Sequence, residues 1–185
     1  MTLCRKDLLK VKKFNQRDMR RKIINVFAKG DYHCFACSPH NPIGLQLQFF
    51  ETEEGVEAVW EPKQNYEGYP GVVHGGIQST LLDEITVWTV YIKAKTAGVT
   101  SRLNVKFKKP VLSGQKKITL KGKIKEVSHK FCYLDAWLLD ENDVICAEAE
   151  VIYYIYPHEE AVNEKWYPED YDSFFDEDNE CSSAE

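Results

Sequence analysis

Residues 71–94, "GVVHGGIQSTLLDEITVWTVYIKA", hold the longest proline-free segment with helical patterning in the middle of the chain. From Gly75 onward, apolar residues recur at 77, 81, 85, 88 and 92. At 100° per residue, Ile77, Leu81, Ile85, Trp88 and Ile92 fall within a sector of about 80°, the stripe of a helix laid on a core. The opposite side carries Ser79, Asp83, Thr86, Val87 and Val90 rather than the Lys and Glu of a solvated face, so it is expected to be buried too. Asp83 is then a carboxylate in an apolar setting, where such a group can serve as base or nucleophile. The plainer alternative is a carboxylate satisfied by the Ser79 or Thr80 hydroxyls.

At the start of the segment stand His74, Gly75 and Gly76. A helix start offers free backbone N–H groups and the positive end of the macrodipole, which suits a polarised carbonyl. Glycine lets a ligand approach that backbone closely. Eight residues at ~1.5 Å rise place Gly75 and Asp83 ~12 Å apart, so both cannot easily act on one carbonyl within one chain. If they share a bond, two helices must lie antiparallel and the site needs at least a dimer.

Around this helix the sequence reads as strands. Leu45-Gln46-Leu47-Gln48-Phe49 and Val56-Glu57-Ala58-Val59-Trp60 alternate with period two across the Glu54-Gly55 turn. Four further strand-like runs cover 101–111, 117–127, 131–139 and 144–156, separated by turn residues. Residues 31–44 and 62–73 read as loops. Two strands, one long helix and four strands predict an α+β fold, an antiparallel sheet with one central helix. The lack of strand–helix alternation argues against a doubly wound nucleotide-binding fold.

The 185 residues, 43% hydrophobic, suit one domain with charged ends. Residues 1–30 hold ten Lys/Arg against two acids and read as a basic helical arm, with apolar residues at helical intervals over 5–27. Residues 157–185 hold eleven acids against Lys165 and read as an acidic disordered tail. Arm and tail could recruit nucleic acid, lipid or a protein; the plainer reading is solvated ends, with no nucleic acid partner. No signal-peptide pattern or membrane-length apolar run appears, so a cytoplasmic protein is expected. The six cysteines are expected to be reduced. Cys34-Phe35-Ala36-Cys37 lacks the distant second pair of a usual zinc site and reads as a structural loop, with no metal and no cofactor implied.

Three segments together, "CFACSPHNPIGLQLQFF" (34–50), "EGYPGVVHGGIQSTLLDE" (67–84) and "TSRLNVKFKKPV" (100–111), resemble the PaaI-type acyl-CoA thioesterases of the hotdog-fold superfamily. The resemblance covers roughly residues 33–156 and places the hotdog domain at 31–156. It implies a sheet wrapped around the central helix and a homodimer or tetramer with active sites between subunits. It implies that the Gly75 amide polarises a thioester carbonyl, that His74 shapes the loop, and that Asp83 acts as general base or nucleophile. Thr100 matches a hydroxyl that positions the water or the carboxylate. One departure stands out: many members carry Asn or Gln six residues before the His, where this chain has Gly68, and Asn65 or Glu67 are the nearby substitutes. Gly76 and Asn65 are the expected substrate contacts, with Lys108, His129 and Lys130 offering cations for coenzyme A phosphates. The alternatives to an acyl-CoA thioesterase are a hotdog domain that binds acyl-CoA without turning it over, and a scaffold that recruits partners through its charged ends.

Overall fold

The computed structural model describes residues 20–28 and 31–175. The long helix forms as expected: α1 spans Gly75–Thr89, continues as a π-helical turn over Val90–Ala94, and stops at Lys95 in the left-handed conformation (φ 52°). Leu81, Ile85, Trp88 and Ile92 are buried on one side, Leu82, Thr86, Thr89 and Val90 on others, so the helix is enclosed on nearly every face.

What encloses it is a sheet. The strands are β1 (Arg21–Ile23), β2 (Gln48–Glu51), β3 (Val56–Trp60), a small pair β4 (Glu67–Tyr69) and β5 (Val72–Val73), β6 (Gly98–Phe107), β7 (Ile118–Ser128), β8 (Phe131–Leu139) and β9 (Ile145–Ile155). Seven of them form one sheet in the order β1-β2-β3-β7-β8-β9-β6, every pair antiparallel. This is the α+β hotdog arrangement. The helix crosses β7 at Gly122, where a Cβ would lie 2.4 Å from Thr89 Oγ1 and 3.0 Å from the Ile85 carbonyl oxygen. Only glycine permits that approach, which fixes the spacing between helix and sheet. At the far end of the helix Trp88 stacks on Phe49, ring centroids 4.4 Å apart.

The structure departs from the sequence reading at four places. The helix expected over 5–27 falls largely outside the described residues, and its described part is not helical: Arg21–Ile23 pairs with β2 as a strand. Ile23 is buried there, and Arg21 reaches Glu51 at 2.8 Å. The first strand of the hairpin starts at Gln48 rather than Leu45, because Gln46 takes a positive φ of 54° that breaks the ladder while Leu45 and Leu47 still bury. The segment 62–73, read as loop, contains β4 and β5.

The acidic tail is the largest departure. Residues 158–163 form α2 (His158–Asn163), a 3-10 turn follows over Tyr171–Phe174, and Tyr167, Phe174 and Phe175 enter the core. Phe174 is fully buried against Phe27, Trp88 and Tyr91. The aromatic residues among the acids supply enough apolar area to dock this segment, despite its charge. The packed body thus extends beyond 31–156 at both ends; residues 176–185 lie outside the described residues.

Candidate active site

The start of α1 is built around an imidazole. His74 is the N-cap, and its Nδ1 accepts the Gly76 N–H at 2.8 Å while its backbone N–H donates to the Tyr66 carbonyl at 2.8 Å. With Gly76 occupied, the Gly75 N–H has no hydrogen-bond partner among the described residues. Gly75 lines a cleft of about 560 Å³ together with His74, Gln78, Phe107, Lys108 and Lys109. Gly68 packs on the same imidazole: a Cβ at 68 would stand 2.6 Å from His74 Cδ2. The ring fills the space a side chain would need, which is a physical reason for glycine at that position.

Asp83 lies on a second, smaller cleft of about 290 Å³, shared with Tyr32, Cys34, Glu84, Thr100 and Tyr153. The Thr100 hydroxyl donates to Asp83 Oδ1 at 2.8 Å, and the Tyr153 hydroxyl donates to the same oxygen at 3.1 Å. Thr100 and Tyr153 face each other across β6 and β9, and the register slips just after Thr100. Such irregularities re-aim side chains, and here the paired hydroxyls converge on one carboxylate. Burial, followed by the charge of Asp83, pushes the Tyr153 phenol far above its ordinary range, so it stays a proton donor. Among the described residues Oδ2 has no hydrogen-bond partner. The Ser79 and Thr80 hydroxyls do not serve Asp83; they bond back to the Gly75 and Gly76 carbonyls at 2.9 and 3.0 Å.

A third group of side chains sits beside Asp83. Burial pushes the Glu84 carboxyl up to about 7, with the Cys34 charge adding to it, and its Oε1 accepts the Trp88 indole N–H at 3.0 Å. A hydrogen bond from the Cys37 thiol pulls Cys34 down to about 5, while Cys37 moves up.

A family model described as the thioesterase superfamily matches residues 70–151, from the loop before His74 to β9. That match spans less than half of the 185 residues, and it is to this segment that the likeness applies. Solved structures share its fold. A crystal structure of a thioesterase superfamily protein superposes with a TM-score of 0.61 at 22% identity, over 65% of this chain and 62% of that one. A Streptococcus mutans protein bound to acetyl-CoA gives 0.55 at 21%, over 60% and 88%. A Haemophilus influenzae thioesterase gives 0.56 at 18%, over 62% and 80%. A search of curated protein sequences finds no match.

Within one chain, the site residues expected from sequence divide. His74, Gly75 and Lys108 meet in the first cleft, Asp83 and Thr100 in the second. Lys108 is paired with Glu148 at 2.5 Å. Asn65, Gly76, His129 and Lys130 line neither cleft: Asn65 is exposed on a 3-10 turn, and His129 and Lys130 form the turn joining β7 to β8. Glu67 is engaged elsewhere, accepting the Ser113 hydroxyl at 2.5 Å, which lowers its pKa. Sequence reasoning missed Tyr153, Gln78 and Glu84. Gln78 is buried in the first cleft with Oε1 unpartnered among the described residues, and its position one turn after His74 was the available signal. Tyr153 gave no local signal, since it meets Asp83 from 70 residues away.

Proposed function

We propose that this protein is an acyl-CoA thioesterase of the PaaI type, hydrolysing a thioester to a free acid and coenzyme A. The observation that carries the reading is the half-buried Asp83 carboxylate, in the segment that the thioesterase-superfamily model matches, with Oδ1 fixed by two hydroxyls on the wall of a cleft. Water attacks the carbonyl carbon and passes a proton to Asp83, the C–S bond breaks, and the departing thiolate takes up a proton. In the other form of the chemistry Asp83 attacks directly and water then cleaves the resulting anhydride. The developing oxyanion rests on the unpartnered Gly75 N–H at the positive end of α1.

The ~12 Å between Gly75 and Asp83 requires that the two come from different copies. In support, β6 ends the sheet with one long edge unpaired among the described residues, and Val99 and Phe107 are 51% and 52% exposed near its two ends. Phe107 borders Gly75, and Val99 lines the Asp83 cleft. A coenzyme A thioester as substrate is supported by the acetyl-CoA held in the Streptococcus mutans neighbour and by Lys108 and Lys109 beside the first cleft. A reducing, cytoplasmic setting fits the free thiols of the four described cysteines.

Gly68 leaves no amide side chain at the position where relatives of this type carry one. Tyr153, beside Thr100, is a second hydroxyl that orients the proposed catalytic carboxylate. The deciding experiment follows release of coenzyme A from short-chain, long-chain and aryl thioesters, wild type beside Asp83→Asn. Release that disappears in the variant, with folding and assembly intact, supports the mechanism. Undiminished release in the variant overturns it, and tight binding without release assigns a sensor of acyl-CoA.

A further inference from the structure

The sequence offers Cys34 and Cys37 without a distant second pair, and the structure supplies the missing partner from 50 residues away. Glu84 presents its carboxylate to the Cys34 sulfur at 3.9 and 4.0 Å, and one donor atom each from Cys34, Cys37 and Glu84 lie within 4.8 Å of one another. Those separations are long for a thiol–carboxylate hydrogen bond. The two Cys34–Glu84 distances exceed by about half an ångström the ~3.5 Å between neighbouring sulfur and oxygen ligands of a tetrahedral ion with bonds of ~2.3 Å to sulfur and ~2.0 Å to oxygen.

The surroundings hold these groups in place. The Cys37 backbone N–H points at the Cys34 sulfur at 3.5 Å, the kind of contact that stabilises a thiolate. The loop is pinned on both sides, by Asn25 Nδ2 donating to the Cys37 carbonyl at 3.0 Å and by Ser38 Oγ donating to the Tyr32 carbonyl at 2.6 Å. Leu45 and Leu47 N–H groups bond to the Phe35 and Ala36 carbonyls between the two cysteines. On the helix side, the Trp88 indole orients Glu84 through Oε1, an outer hydrogen bond of the sort that aims metal ligands.

We propose that Cys34, Cys37 and Glu84 bind a zinc-class divalent cation, with a fourth coordination position open to the cleft that Asp83 also lines. Two sulfurs and one carboxylate favour a borderline-soft ion over magnesium or calcium. Binding displaces to solvent the protons that Cys34, Cys37 and Glu84 still hold and leaves two thiolates and one carboxylate around the ion.

The test is independent of any hydrolytic activity. The full chain, reduced with a phosphine and stripped with a chelator, is titrated with Co²⁺ and followed by absorbance. The expected result is a thiolate-to-cobalt charge-transfer band with the intense visible bands of tetrahedral Co²⁺, saturating at one ion per chain and bleached by Zn²⁺. Cys34→Ser and Cys37→Ser should each abolish the saturable signal, and Glu84→Gln should weaken affinity by at least the ~10–100-fold that loss of an outer partner costs. Circular dichroism reports whether each variant is folded. Absence of the bands in wild type overturns the proposal without recourse to any variant. So do bands that survive in the folded Cys34→Ser/Cys37→Ser double variant, which would place the ion on other thiols, or an affinity unchanged in folded Glu84→Gln.

Discussion

Helix α1 serves two clefts of different character. The one at its N-terminus is larger, about 560 Å³, and offers a backbone N–H, an imidazole already committed as a cap, and nearby lysines. The one at mid-helix is about 290 Å³ and is crowded with side chains that give or take protons: Asp83, Glu84, Cys34, Tyr32 and Tyr153. The first is equipped to hold negative charge, the second to handle protons. A single helix can provide both functions but cannot bring them to one atom, so the proposed mechanism, which needs both at one carbonyl, calls for two chains.

That division can be attacked one cleft at a time. In the mid-helix cleft, Asp83→Asn should lower the rate of thiol release by ~10²–10⁴-fold with little change in KM, the cost of removing a general base. At the helix start, Gly75→Pro removes the N–H proposed to meet the oxyanion and adds a ring whose Cβ would meet Phe107 at an ordinary contact distance of 3.5 Å. Proline is favoured at the first helical position, and His74, with φ −56° and ψ 137°, already has the backbone a residue before proline prefers. The variant should fold and melt normally yet lose ~10²–10³-fold in kcat. If it keeps full turnover, the first cleft is a binding site only.

A smaller effect is expected from Tyr153→Phe. It removes one of two hydroxyls on Asp83 Oδ1, and with Thr100 still in place a loss of about tenfold in kcat follows from one hydrogen bond to a charged group. Rates equal to wild type would leave Thr100 as the sole orienting hydroxyl.

The smallest effect lies outside both clefts. Burial works against the charge on Glu51, but hydrogen bonds from Lys93 and Arg21 outweigh it and hold its pKa below the ordinary value. Its contribution to stability is therefore complete above the unfolded pKa of ~4.3 and is lost as pH falls through the lower folded value. Glu51→Gln should lower Tm modestly at neutral pH, and the gap from wild type should close in strong acid, with kcat unchanged throughout. A gap that persists in acid would show that packing, not charge, is what the substitution damages.

How legible these features were depends on sequence separation. The enclosed helix, the Asp83 position and the distance from Gly75 all follow from a 3.6-residue period within one segment, so they could be read directly. Thr100 was reachable through a resemblance, but Tyr153 was not, because its meeting with Asp83 depends on the register of β9 against β6. What Glu84 faces could not be read locally, because the Cys34 loop that meets it lies 50 residues away in the sequence. Gly68 read as a missing amide; the structure shows a position that the His74 ring has filled. The acidic tail misled for a different reason: its charge dominated the composition, while the aromatic residues that dock it are few and spaced without period.

The docking of that tail has a topological consequence. The Ile24 N–H donates to the Phe174 carbonyl at 2.8 Å, and the Arg21 guanidinium sits 3.3 Å over the Phe175 ring, so the first and last described stretches of chain are fastened to each other. The described chain is in effect a noncovalent ring. A circular permutant that joins these stretches through a short linker and opens the exposed turn at 141–143 should melt as cooperatively as the parent. A version cut back to residue 157 should instead loosen β1 at the opposite end of the sequence, detectable as faster amide exchange at 21–23.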